Sequence, residues 1–293
     1  MSEPARRPSI LRLVGWTLAD ELYAGWRQLA LLGGNRRPAK WREGDDALPE
    51  VVLLPGVYEH WTFLRPLGNA MNAAGHRVRV VRGLGTNRIP IAETARRAAV
   101  ALAEADAPAA GFVIVAHSKG GLVGKHLLMD RDAELLASPA LSDPTAAGGG
   151  GAGPMVEVAD TPVAADAMGV AASAGAADVI DGTDGPGVLG LVAICTPFAG
   201  SRYARLFVDP TIRALMPRDE TIVRLAAAAS VNGRIVSISG IFDPHVPEGS
   251  ELVGATNVQV PVAGHFRILR APETFAAVRD GISLLADRAA PEA

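Results

Sequence analysis

The run Phe112-Val113-Ile114-Val115-Ala116-His117-Ser118-Lys119-Gly120-Gly121 holds the sharpest change of pattern in the chain. Four β-prone apolar residues lead into a small-x-Ser-x-Gly turn, and an apolar stretch reaching Met129 follows. The pattern predicts a buried strand over Phe112–Val115, a tight turn at Ser118 and a helix over 118–129. In such a turn the residues two before and two after the serine lie against neighbouring backbone, so both must be small. Here they are Ala116 and Gly120. The helix that follows aims unpaired N–H groups at the serine and favours negative charge developing there. Ser118, set between a Val/Ile strand and an apolar helix, is a candidate nucleophile.

Outward from this run, Val51–Leu54, Arg77–Val81, Leu189–Ile194, Arg234–Ile238 and Asn257–Val260 read as further strands. The Ala-rich stretch Ile91–Asp106 and the terminal Pro272–Arg288 read as helices. Continuous Val/Ile/Leu strands interleaved with helices predict an α/β fold with a mostly parallel sheet covered on both faces. A length of 293 residues, 49% of them hydrophobic, suffices for one such domain, placed at 51–288.

A serine hydroxyl is a weak nucleophile at neutral pH and needs a base, and that base needs an orienting acid. On a strand-turn-helix serine the expected order is Ser, then Asp or Glu, then His. Asp243 follows the strand that begins at Arg234, and His265 follows the next strand. Both would hang at the carboxyl edge of the sheet, where open α/β sheets bind ligands. Among the six histidines, His245 in the acid loop competes with His265, which is preferred because it follows the acid on a later strand. Asp243 also stands before a proline, as the turn-forming Asp209 and Asp143 do, and is chosen by its place in the order. The oxyanion donors are expected to be the backbone N–H of Lys119 and that of Val57, in the turn Leu54-Pro55-Gly56-Val57. Losing one such donor typically costs about a hundredfold in rate.

These residues resemble the lipase and esterase branch of the α/β-hydrolase superfamily over roughly 51–286. The motifs that carry the resemblance are Pro55-Gly56, Ala116-His117-Ser118-Lys119-Gly120-Gly121, Cys195-Thr196-Pro197-Phe198-Ala199-Gly200-Ser201, and Asp243 with Val246-Pro247 and Gly264-His265-Phe266. The Thr-Pro-x-x-Gly-Ser motif is similar to the one that opens the cap of bacterial triacylglycerol lipases. It implies that 202–231 covers the active site as a helical cap and that Cys195 is a packing residue. The family commonly has His-Gly where this chain has Pro55-Gly56. His117, Phe198 and Tyr58 are expected to meet the substrate. The resemblance implies a serine hydrolase of carboxylic esters, small-molecule or lipid, working through an acyl-serine intermediate. Acyl transfer or thioester cleavage on the same fold, and a retired scaffold used for binding, stay open.

The remainder bounds the partners. Leu11, Val14, Leu18, Leu22, Trp26 and Leu29 recur every three or four residues, predicting an amphipathic helix within 1–34, ended by Gly33-Gly34 and followed by a polar linker, 35–50. The helix is expected to dock its apolar stripe on the core or a second subunit, with peripheral membrane attachment as the alternative. The stretch 133–187 holds eight acidic residues, no Lys, Arg or aromatic residue, and four consecutive glycines. It cannot bury enough apolar surface to offset its ordering entropy and is expected to be a disordered insertion. A net charge of −3 gives no reason to expect nucleic acid. With a single cysteine and no stretch apolar enough to span a bilayer, a cytoplasmic protein is expected. Arg6-Arg7 faintly resembles an export signal, but Arg12, Asp20, Glu21 and Arg27 break up the apolar region such a signal needs. No phosphate loop and no zinc-ligand spacing is present, so no cofactor or metal is expected.

Overall fold

The computed structural model describes residues 8–29, 36–105, 108–137 and 187–290. Most of the acidic stretch expected at 133–187 lies outside the described residues, as do Arg6-Arg7 and Gly33-Gly34. Six strands form one parallel sheet: β1 (Glu50–Leu54), β2 (Val78–Val80), β3 (Phe112–His117), β4 (Val188–Ile194), β5 (Ile235–Phe242) and β6 (Thr256–Ala263). They pair in the order β2-β1-β3-β4-β5-β6.

The apolar runs show no alternation because both faces of the sheet are buried. Val51, Leu53, Val113, Val115, Val192 and Ile194 point to one face, where they meet α2 (Arg65–Ala73) through Leu67 and Met71, and α7 (Pro272–Ala289) through Val278 and Ile282. Their neighbours Val52, Leu54, Ile114, Ala116, Leu191 and Ala193 point to the other, against α3 (Ile91–Ala103) and α4 (Lys119–Ala137). Each fully buried Val, Leu or Ile contributes about 1.5–3 kcal/mol. Helix α2 is absent from the sequence reading. At nine residues, with Pro66 in its first turn, it is too short for a clear periodic signal.

The chain leaves β1 for β2 on one side and returns to place β3 on the other, so the strand order reverses between β1 and β3. The turns after these two strands carry Gly56-Val57 and Ser118, at the point where such sheets open a crevice.

The N-terminal helix, α1 (Ile10–Leu29), does not set its apolar stripe on the core, the first of the surfaces expected for it. Its apolar stripe faces solvent, with Leu11, Leu18 and Leu22 exposed at 85%, 59% and 75%. The buried face is a second stripe with the same helical spacing: Trp16, Asp20, Tyr23 and Arg27. Trp16 packs on Phe242, the Arg27 guanidinium donates to the Thr62 carbonyl, and Asp20 is fully buried. Hydrogen bonds to buried backbone amides outweigh apolar contact here, because those amides would otherwise be orphaned. The expected linker is also more than a linker. Trp41 is fully buried, edge-on to Trp61, and donates from Nε1 to Asn69 at 3.0 Å. No helix among the described residues is long and apolar enough to cross a membrane.

Candidate active site

Ser118 sits between β3 and α4 with φ 51°, a left-handed conformation that L-residues adopt rarely. Such strain is found where function holds it. The close approach on both sides explains the small neighbours. A Cβ on Gly120 would lie 2.8 Å from the Pro55 carbonyl oxygen and nearer still to that of Leu54, and one on Gly56 would lie 3.0 Å from Ser118 Cβ. Any side chain at either position would push β1 and α4 apart.

His265 follows β6 and is buried. Its Nδ1 donates to Asp243 Oδ2 at 2.7 Å. Asp243 Oδ1 accepts the N–H groups of His245 and Val246 at 2.8 and 3.0 Å, so both carboxylate oxygens are engaged. The Asp-Pro turn and the acid therefore coexist in one residue. Burial opposes ionisation of Asp243, but the facing His265 and the backbone donors outweigh it and hold the carboxyl below its usual range. Burial also works against a charged His265, yet the Asp243 carboxylate lifts its pKa above the ordinary value. The competing His245 also lines the Ser118 cavity, its ring centre 5.0 Å from that of His265, but its Nε2 meets Glu21 of α1 at 2.8 Å. Burial and the neighbouring His265 lower the His245 pKa.

Two residues that sequence reasoning missed fix the backbone of His265. The Asp20 carboxylate accepts the N–H groups of His265, Phe266 and Arg267 at 2.8, 3.0 and 2.9 Å. Gly264, at φ 117°, leaves room for it, since a Cβ there would collide with Asp20. On the other side His117 Nε2 donates to the His265 carbonyl at 2.9 Å, while its Nδ1 is hydrogen-bonded to Glu59 Oε1 at 2.6 Å. Glu59 Oε2 in turn accepts the Gly56 N–H at 2.9 Å. A buried chain of bonds thus runs from the turn after β1 to the backbone of His265. The signal for Asp20 was the second stripe of α1. Glu59 had no signal, because its partners are set by the tertiary fold.

Ser118 and His265 open onto one cavity of about 100 Å³, shared with Val57, Phe207, Leu215 and Val246. Among the described residues no hydrogen bond joins Ser118 Oγ to His265. Such bonds are commonly long before substrate binds. The N–H groups of Val57 and Lys119 donate to no acceptor among the described residues, and Val57 lines the cavity. Lys119 is buried along its side chain, and Nζ donates to the Asn87 carbonyl at 2.8 Å. Burial pulls its pKa down to about 8, with Asp209 opposing.

The three residues expected to meet substrate do not line this cavity. His117 is fully buried between Glu59 and the His265 carbonyl. Phe198 points into the core, with the Lys125 ammonium 5.9 Å from its ring centre. Tyr58, at φ 61°, turns its hydroxyl to Asp209 beneath the Arg88 guanidinium. Residues 203–215 supply the roof instead, through Tyr203, Ala204, Phe207, Ile212 and Leu215. Asp209 caps the short helix α5 (Pro210–Arg213), accepting the Thr211 N–H at 2.7 Å. The roof is tied to the acid loop where Ser201 Oγ donates to the His245 carbonyl at 2.8 Å.

Cys195, also in the left-handed region at φ 50°, lies against Asp243 and does more than pack. Burial, then the Asp243 charge, push its thiol well above its ordinary pKa. Cys195, Asp243 and His265 are the one grouping of metal-ligating atoms among the described residues. Within this set the Asp243–His265 hydrogen bond is already made.

No known family profile matches the sequence, and no curated protein matches it. Solved structures do. Aspergillus fumigatus lipase B is similar at a TM-score of 0.53 and 15% identity, over 87% of this chain and 60% of the lipase. Bacillus licheniformis lipase BlEst2 in mature form aligns at a TM-score of 0.49 and 13% identity, over 85% of this chain and 99% of that one. A metagenomic carboxyl esterase, MGS0156, aligns at 0.48 and 13% identity, over 87% of this chain and 79% of that one. The Aspergillus likeness shows a shared fold, and this chain spans 60% of that lipase's length.

Proposed function

From the α/β-hydrolase fold that this chain adopts, we propose a serine hydrolase that cleaves carboxylic esters through an acyl-Ser118 intermediate. The observation that carries the reading is the pairing of Ser118, strained at φ 51°, with a His265 held by Asp243 on the same cavity. Ser118 Oγ attacks the ester carbonyl carbon as His265 Nε2 takes its proton. The Asp243 carboxylate fixes the tautomer with the proton on Nδ1 and stabilises the imidazolium that forms. The carbonyl oxygen, now negative, accepts from the N–H groups of Val57 and Lys119. His265 returns its proton to the leaving alcohol. Water then repeats the sequence on the acyl-serine and releases the acid.

A cavity of about 100 Å³ is well below the ~300 Å³ typical of sites for drug-sized ligands. Its walls at Val57, Ile212, Leu215 and Val246 are apolar, so a short acyl chain fits the reading best. A p-nitrophenyl ester series tests it. Acetate and butyrate should turn over faster than decanoate, and Ser118→Ala should abolish all turnover while the far-UV spectrum is unchanged. A Ser118→Ala variant with wild-type rates would end the proposal.

A further inference from the structure

A second cavity, larger than the one holding Ser118, lies on the same edge of the sheet. It measures about 440 Å³ and opens at the carboxyl ends of β1 and β2, behind the turn that carries Gly56 and Val57. Arg36, Arg37, Arg42 and Arg82 line it, with Pro55 and His60 in the wall and no carboxylate among the described residues. None of the four guanidiniums makes an ion pair or hydrogen bond among the described residues. Glu50, whose charge reaches Arg37, is already taken by Arg79, which binds it with Nε and Nη2 at 2.9 Å each. Burial and then the neighbouring Arg42, Arg79 and Arg82 charges lower the Arg37 pKa, with Glu50 opposing. Like charges gathered with no carboxylate facing them repel one another, and an anion entering the cavity would relieve that repulsion.

We propose that this cavity is a binding site for a phosphate group, as a phosphomonoester, a diphosphate or a phosphate-bearing headgroup. Four guanidiniums offer far more N–H donors than a carboxylate can accept. A phosphomonoester brings about −1.5 to −2 charges and three acceptor oxygens, which matches planar, bidentate arginines. The volume falls in the range of small-molecule sites. Pro55 forms wall on this side and leads directly into the turn that faces Ser118, so the two cavities are neighbours across one loop. The assignment does not depend on the hydrolase reading.

The test is calorimetric titration with sodium pyrophosphate at fixed ionic strength, alongside sedimentation with phosphatidylcholine vesicles with and without phosphatidic acid. Arg42→Gln/Arg82→Gln is the comparison, both residues being exposed and outside the core. A far-UV spectrum and a thermal melt matching those of the wild type report that the variant is folded. Saturable pyrophosphate binding with a Kd below about 1 mM, weakened at least about tenfold in the variant, supports a soluble phosphate ligand. Sedimentation only with phosphatidic acid vesicles, lost in the variant, supports a headgroup. No saturable binding in either arm, or equal binding by the variant, overturns the site. Should the double variant fail to fold, Arg36→Gln takes its place with the same readouts.

Discussion

Replacing Asp20 tests whether the N-terminal helix belongs to the reaction centre. Its carboxylate accepts three N–H groups, at 2.8, 3.0 and 2.9 Å, in a fully buried position. Orphaning one buried donor costs about 1–3 kcal/mol. The three share one carboxylate and can partly relax together, so Asp20→Ala should cost about 3–5 kcal/mol. Asp20→Asn keeps an amide oxygen for Phe266 and Arg267 but turns its NH₂ toward the His265 N–H, a loss of about 1–3 kcal/mol. Urea denaturation reads this as a midpoint lowered by about 1 M, with an unchanged m-value. A ring displaced by about 1 Å costs about a hundredfold in rate, so kcat/KM for the Asn variant should fall by about tenfold to a hundredfold. A purely structural role would stop there. The Asp20 charge is also among those that raise the His265 pKa, so the acid limb of the pH profile should move to lower pH in Asp20→Asn. Wild-type midpoint, kcat/KM and acid limb in that variant would refute the argument.

Three other outcomes follow from the same geometry. Leu18→Ser/Leu22→Ser should change stability by less than about 0.5 kcal/mol per site, because that face of α1 is exposed, whereas deleting residues 1–37 should abolish turnover by removing Asp20; thermal melts and ester assays check both. Gly120→Ala should cost about 1–3 kcal/mol by overpacking and abolish turnover by driving α4 off the β1 turn, as a melt and a rate measurement would show. The reaction needs neutral His265, so kcat/KM should rise with pH through an apparent pKa above the ordinary ~6.5, and Asp243→Asn should lower that value. The same raised pKa means protonated His265 favours the folded state, a contribution full below about pH 6.5 and lost as pH rises through the folded value.

The strands were legible because both faces of the sheet are buried, which leaves unbroken Val/Ile/Leu runs. Ser118 was legible because the turn demands small residues at fixed offsets, and Gly120 meets the carbonyls that impose the demand. The docking face of α1 was not. Periodicity reveals which stripe is apolar, while docking was settled by three amides of the His265 loop, 245 residues away and invisible from the helix itself. His117, Phe198 and Tyr58 stand beside the motifs in sequence, yet none of them lines the Ser118 cavity. A strand reverses its side-chain direction at each residue, so His117 points beneath the site and pairs with Glu59. The expected linker failed in the same way, since one tryptophan, Trp41, outweighed a polar surrounding.

The central claim is that Ser118 is activated by His265. Labelling the protein with a fluorophosphonate probe and mapping the adduct by mass spectrometry tests it most directly, with His265→Ala as the comparison. Modification at Ser118 that is lost in the His265 variant is the expected result. A folded protein that takes up no probe at Ser118, or one that labels equally without His265, would contradict it.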